Sequence, residues 1–260
     1  ISVIDGQEER ITTLIKDQLL GMTEIFNEKY FTTKQGEELI RRVLSLTDIA
    51  NYRQHILKDE SYWRFLRWLA SMSEHTQTIY IYVNTLIKAN NNSIIAQDDI
   101  FMFILGLLDE ISSIGAVGSR WEQEYSKSVK SGHKVSNNNP YQGIVEISLK
   151  SINLTATLIE NKNLTRNEMV AIIQALVHQC MNPCEQIQSY GLSSLESSLT
   201  ERIHLRKNSE NEEKDIIKLE DIVNDGIMSI INVKPEGEGT DNNNINNNNA
   251  NNNIPIPKVL

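Results

Sequence analysis

The 260-residue chain carries 25 Lys and Arg against 34 Asp and Glu, a formal net charge of −9. That acidic balance argues against a nucleic-acid surface, where a basic face is expected. The hydrophobic fraction of 40% is enough to bury a core, and the length suits one large domain or two small ones. Two cysteines, Cys180 and Cys184, make no disulfide framework and fit a reducing compartment. The first residue is Ile, so the sequence reads as a fragment or processed product. No charged n-region with an apolar h-region opens it, so no signal peptide is expected. No run of about eighteen consecutive apolar residues marks a membrane span.

Apolar residues recur at spacings of three and four nearly throughout, and proline is scarce before residue 235, so the chain reads as helix after helix. Ile11, Leu14, Ile15, Leu19, Met22, Ile25 and Phe26 mark a first helix ending near Tyr30. A second segment runs from Lys34 through Leu57, broken near Asp48. Glu60 to Met72 places Tyr62, Phe65, Leu66, Leu69 and Met72 on one face. Ser73 to Lys88 includes TIYIYV, a strand-like composition, but its neighbours are helical and helix is expected here too. Asp98 to Ile114 is so apolar that burial on more than one side is expected. Gly115 and Gly118 read as helix-end residues, Trp121 to Lys130 as a polar helix or turn, and Ser131 to Pro140 as a loop. Gln142 to Glu160 is helical. Thr165 and Glu168 form a capping box opening a helix with Met169, Ile172, Ile173, Leu176, Val177 and Cys180 on one face. Asn182-Pro183 reads as a cap followed by the first helical residue. The helix it starts is expected to point Ile187, Leu192, Leu195, Leu199 and Ile203 inward. A charged loop (Arg206 to Lys214) and an amphipathic helix (Asp215 to Val233) follow. Beyond Lys234 the composition collapses into an asparagine tract that cannot bury enough apolar area to offset its ordering entropy.

The fold expected is all-α, a HEAT/armadillo-like α-solenoid of degenerate hairpins over residues 1–233, with a sub-boundary in the loop 131–140 and a disordered tail over 234–260. Thr165 to Met181 with Pro183 to Leu199 resembles a HEAT-type pair. Ile187, Gly191 and Leu195 sit where that repeat takes apolar, small and apolar residues, although Gln188 stands where it usually has arginine.

Candidate chemistry is sparse. His178, Cys180 and Cys184 are close in sequence, but a zinc site needs four ligands in tetrahedral array, and Pro183 breaks the helix between the cysteines. Two structural thiols are the better reading, and no metal or cofactor is expected. A cysteine nucleophile would need positive charge to lower its pKa. Asp98-Asp99 starts a helix, where negative charge suits the dipole, and Glu122 with Glu124 reads as a solvated face. Asp109-Glu110 interrupts an apolar helix and is less easily explained. Trp63 and Trp68 lie among core-spaced aromatics; partial exposure would make them hot-spot candidates. The stretch 120–134 is the expected partner surface, with Trp121, Glu122 and Glu124 suited to a basic or amphipathic partner. GAVGS lacks the following Gly-Lys-Ser/Thr and preceding strand of a phosphate loop.

DEISSIGAVGSRWEQEY (Asp109 to Tyr125), SGHKV (Ser131 to Val135), NPY (Asn139 to Tyr141), IVEISLKSINLTATLI (Ile144 to Ile159) and IQALVHQCMNPCEQIQSYGLSSLESSL (Ile173 to Leu199) carry a resemblance. The stretch from Leu44 to Ile203 resembles the C-terminal helical region of fungal large Arf guanine-nucleotide exchange factors of the Gea/GBF type. In that family a Sec7 domain inserts a glutamate finger into the nucleotide site of an Arf GTPase. No Sec7-like segment is visible here, so the family's catalytic residues carry over to no position and no catalytic role is expected. The resemblance implies a regulatory scaffold in Golgi and ER–Golgi vesicle transport. It further implies contact with Arf-family and other small GTPases through the full-length protein, a homodimer context, and a cytoplasmic location peripheral on Golgi membranes. An independent HEAT-like trafficking adaptor with no link to Arf is the alternative. A helical enzyme would require Asp109 or Glu110 to meet His178.

Overall fold

The computed structural model describes residues 31–48, 50–89, 98–132, 138–160 and 164–207, with isolated positions between 10 and 18 and between 221 and 227. The expected helix ending near Tyr30, half of the loop 131–140, most of the last amphipathic helix and the tail lie outside the described residues.

Among the described residues every regular element is helical. In chain order these are α1 (Lys34–Ser45), α2 (Ala50–Lys58), α3 (Glu60–Ala70), α4 (Thr76–Ala89), α5 (Asp98–Ile114), α6 (Gly118–Lys130), α7 (Gln142–Thr157), α8 (Arg166–Cys180) and α9 (Glu185–Lys207), with short 3-10 turns after α1, α5 and α7. The all-α class is therefore observed. Local chemistry sets several starts. Thr33 accepts from the Gly36 amide at 3.1 Å and Asp59 from the Ser61 amide at 2.8 Å. At α8 the Thr165–Glu168 capping box closes in both directions, each member satisfying an amide that the helix itself leaves unpaired.

Helix α5 sits at the centre, packed against α2, α3, α4, α7 and α8. Ile100, Phe101, Ile104, Leu105, Leu107, Leu108 and Ile111 are all buried, so it is enclosed on several sides as its composition predicts. The continuous stretch Asp99–Lys130 has a mean hydropathy of 1.9 over its most apolar window, long and apolar enough to cross a membrane by length and composition alone, with half of that window buried within the fold. Serines tie α7 to this helix. Ser148 Oγ donates to the Ile111 carbonyl at 2.9 Å and Ser151 Oγ to the Leu108 carbonyl at 2.7 Å. The Leu108 carbonyl also accepts from Ser112 Oγ at 2.8 Å, so it serves hydroxyls from both helices.

The strand-like TIYIYV is helical in α4. Ile79 and Val83 are fully buried, and Tyr62 donates to the Tyr82 hydroxyl at 2.9 Å, which meets Thr47 at 2.8 Å. Thr47 in turn donates to the Leu44 carbonyl. Burial and this hydroxyl chain outweigh a modest β preference. Nearby, Trp63 is core rather than surface, and Trp68 packs at its edge, 5.0 Å from Phe31. The conditional reading of Trp63 as an exposed hot spot is thereby corrected.

Further expectations change. Gly115 and Gly118 do fall at element ends, Gly115 directly after α5 and Gly118 opening α6, but not as left-handed caps. Gly118 is right-handed (φ −60°, ψ −28°), and the chain passes from α5 through a 3-10 turn straight into α6. A Cβ at Gly118 would lie 2.8 Å from Val145 and 3.0 Å from the Cys184 sulfur, so glycine is there for close packing. Helix α9 begins at Glu185, two residues later than Asn182-Pro183 implies. Asn182 forms an Asx turn, accepting from the Cys184 amide at 3.1 Å. Within α9, Leu192 is exposed, while Ile187, Gly191, Ser194 and Ser198 are buried. At Gly191 the residue is small because α9 approaches α8 closely; a Cβ there would meet the Gln179 and Cys180 backbone at 3.1 Å. The helix also continues to Lys207, across the start of the expected loop.

Candidate functional site

The polar residues singled out by the sequence gather where α5, α6, α8 and the start of α9 meet. Asp109 lies on α5, and its carboxylate oxygens sit 3.0 and 3.1 Å from Nδ1 of His178 on α8. Gln179 donates from Nε2 to Asp109 Oδ1 at 2.8 Å and to Ser113 Oγ at 3.0 Å. Its carbonyl oxygen accepts from Asn182 Nδ2 at 3.1 Å, extending the network into the α8–α9 turn. The structure thus unites Asp109 with His178, a pairing that sequence spacing could not place. Glu110 turns the other way, 3.8 Å from Arg67 on α3. Burial raises the pKa of Glu110, with the Arg67 charge pulling the other way and Asp109 adding to the rise.

A carboxylate holding an imidazole is half of a general-base arrangement. Among the described residues no hydroxyl or thiol bonds to His178. Ser113 donates to the Asp109 carbonyl at 2.8 Å. The observed work of the network is to join α5 to α8. The hydrogen bond from Asp109 raises the His178 pKa, opposed by partial burial and reinforced by the carboxylate's charge. A histidine raised above its unfolded value of about 6.5 stabilises the fold fully below that value, and the contribution is lost as pH rises through the folded pKa. The urea midpoint should therefore fall more between pH 6 and pH 8 in the wild type than in His178→Ala. Equal falls would mean the pair is solvent-screened; the imidazole is about half exposed, so the effect is small.

Glu122, on α6, has an unexpected partner. Its carboxylate accepts from the backbone amides of Glu185 at 2.8 Å and Gln186 at 3.3 Å, and from the Cys184 thiol at 3.3 Å. It caps helix α9 from another helix, satisfying free amides and adding negative charge at the positive end of the dipole. Cys184 is buried, and burial raises its pKa, with the Glu122 carboxylate adding to the rise. Burial likewise raises Cys180, which donates to the Leu176 carbonyl. Both thiols are held protonated, the opposite of an activated nucleophile. Glu122→Ala should cost about 1 kcal/mol in urea denaturation, while Glu124→Ala, on an exposed position, should stay within about 0.5 kcal/mol.

Of the expected partner surface, Trp121 is half-buried and stacks on Tyr125 with ring centroids 4.9 Å apart. Glu122 is committed to α9, and Glu124 is exposed. Gly118 is the one buried residue of α6, and Val129 near its end is exposed. The sequence carries no signal for the Glu122 cap, because its partner amides lie more than sixty residues away. Among the described residues no group of three or more His, Cys, Asp or Glu is placed to hold a metal ion.

These features define an all-α assembly in which the polar groups described above fasten helix to helix. No family model matches the chain. It is 43% identical over 233 residues to ARF guanine-nucleotide exchange factor 2 of Saccharomyces cerevisiae, covering 89% of this chain and 15% of that protein. It is 37% identical over 207 residues to ARF guanine-nucleotide exchange factor 1 of the same yeast, covering 78% of this chain and again 15% of the relative. The chain is thus homologous to one segment of these Gea-type exchange factors and spans about 15% of the length of the curated relatives it matches.

Proposed function

We propose that the chain is a non-catalytic regulatory scaffold within an Arf guanine-nucleotide exchange factor that acts in Golgi and ER–Golgi vesicle transport. The observation that carries this reading is the homology of nearly the whole chain to one segment of two such factors. On this reading, HEAT-like helix pairs such as α8 and α9 support recruitment of the full protein from the cytoplasm to Golgi membranes. They also present a surface to Arf-family or other small GTPases in a homodimer context. The surface expected to do so is α6, where Trp121 stacks on Tyr125 close to exposed Glu124. A half-buried aromatic pair beside an acidic side chain suits a protein partner.

The test compares a full-length relative, the same protein lacking this segment, and this chain alone. Exchange on an Arf GTPase is expected from the first and not from the last, and deletion should displace the protein from Golgi membranes. Exchange by this chain alone, or normal recruitment after deletion, would overturn the proposal. Trp121→Ala with Glu124→Lys probes the α6 surface. Glu122 is left intact because its loss would loosen α9 whatever the surface does.

A further inference from the structure

Beyond α9 the chain returns to α8. Residues 223–227 are helical. Asp225 pairs with Arg166 Nη2, and both side chains are half exposed. Gly226 is buried, and a Cβ there would lie 2.6 Å from Ile173 Cγ2, 3.1 Å from Ile173 Cβ and 3.7 Å from the Val170 carbonyl oxygen. Val223, one turn earlier, packs against the hydrophobic core.

Arg166, Val170 and Ile173 are spaced four and three apart, so they form one line along α8. Met169, Ile172 and Leu176 form another line, and all three are buried. Other contacts fasten α8 to the body. His178 and Gln179 bond to Asp109, and Gly191 of α9 comes close to the Gln179 and Cys180 backbone. The Arg166 line selects what lies on it. Arg166 favours an acid, and a residue larger than glycine at position 226 would drive Ile173, 1% exposed, into its neighbours. An ion pair exposed at both ends is weak and salt-sensitive, so it can separate without disturbing the buried line. Residues 208–220 join this segment to the end of α9 at Lys207. A flexible tether of such length holds a segment at an effective concentration on the order of millimolar, so it outcompetes a free helix of the same sequence.

We infer that residues 221–227 are a strap closing a helix-docking face on α8, formed by Arg166, Val170 and Ile173, and that the strap leaves this face with the rest of the fold intact. Once open, the face fits a partner helix that carries an acidic residue beside a glycine. This stands apart from the exchange-factor reading and does not depend on it.

Amide NMR of the full 260-residue chain tests the inference, with Gly226→Leu to open the face and a capped peptide of residues 215–233 as the probe. The shifts caused by Gly226→Leu are expected to stay within residues 165–177 and 221–227. The peptide should bind that variant roughly ten-fold more tightly than the wild type, whose own strap competes, and should return the α8 signals toward their wild-type positions. Adding Arg166→Asp should weaken the peptide about three-fold, the range of an exposed ion pair, and a peptide with Asp225→Arg should recover the loss. Spectral changes spreading through α5 and α7 in Gly226→Leu would make the segment an integral part of the fold and overturn the inference. Peptide affinity no higher in Gly226→Leu than in the wild type would overturn it too, as would affinity unmoved by Arg166→Asp, which would place the peptide elsewhere.

Discussion

Replacing Trp63 with alanine is expected to cost about 3–5 kcal/mol of stability and lower the melting temperature by on the order of 10 °C. The side chain is 1% exposed. It stacks on Phe103 at 5.8 Å with rings 17° apart and meets Tyr62 edge-on at 6.0 Å, so it fastens α3 to the central helix α5. Its indole N–H donates to the Leu57 carbonyl at 2.7 Å, holding the α2–α3 turn. Alanine leaves a cavity and removes that carbonyl's buried donor, and both effects act in the same direction. Trp63→Phe should recover part of the loss through packing, without the hydrogen bond. Thermal and urea denaturation separate this role from a binding hot spot, which would weaken a partner while leaving the melting temperature alone. A loss below 1 kcal/mol would mean that α3 and α5 do not pack as described.

Gly115→Ala is expected to destabilise by about 1–3 kcal/mol, against the sign that helix propensity alone predicts. In an open helical site, alanine gains up to about 1 kcal/mol over glycine. At Gly115 the added Cβ would lie 2.2 Å from Ile187 Cδ1, 2.6 Å from Ser148 Oγ and 2.8 Å from Ser148 Cβ. The isoleucine end could turn aside only within a packed core, since Ile187 is fully buried. The serine Cβ can move only with its backbone, and its hydroxyl is already bonded to the Ile111 carbonyl. Gly143 provides the control: it is exposed in the first turn of α7, and an added Cβ there meets nothing within 4 Å. Gly143→Ala should raise stability by roughly 0.5–1 kcal/mol, so the two substitutions should move the urea midpoint in opposite directions. Movement in the same direction would show that α5, α7 and α9 are less closely packed at Gly115.

The helices were legible because their signals are local. Period-3.6 apolar spacing marked α3, α5 and α8, and the Thr165–Glu168 box marked the start of α8 within a few residues of chain. The errors fell where a partner distant in sequence decides. Gly115 and Gly118 do stand at element ends, as their spacing suggests, but Ser148, Ile187, Val145 and Cys184 also make them close-approach positions, which no local signal shows. Leu192 belongs to an apolar pattern, yet it is exposed, while Gly191, against which the α8 backbone comes close, is buried. Glu122 reads as surface charge until the amides of Glu185 and Gln186 are placed beside it.

By itself the sequence determined the all-α class, the central burial of α5, the capping of α8 and, through long runs of matching residues, kinship with the exchange factors. Each rests on information carried within one helix or one aligned stretch. Only the tertiary structure decided that Asp109 meets His178, that Glu122 caps α9, and that Asp225 pairs with Arg166. Those pairings depend on how helices up to about seventy residues apart in sequence cross one another, and spacing within a helix cannot encode which neighbour its outer face will meet.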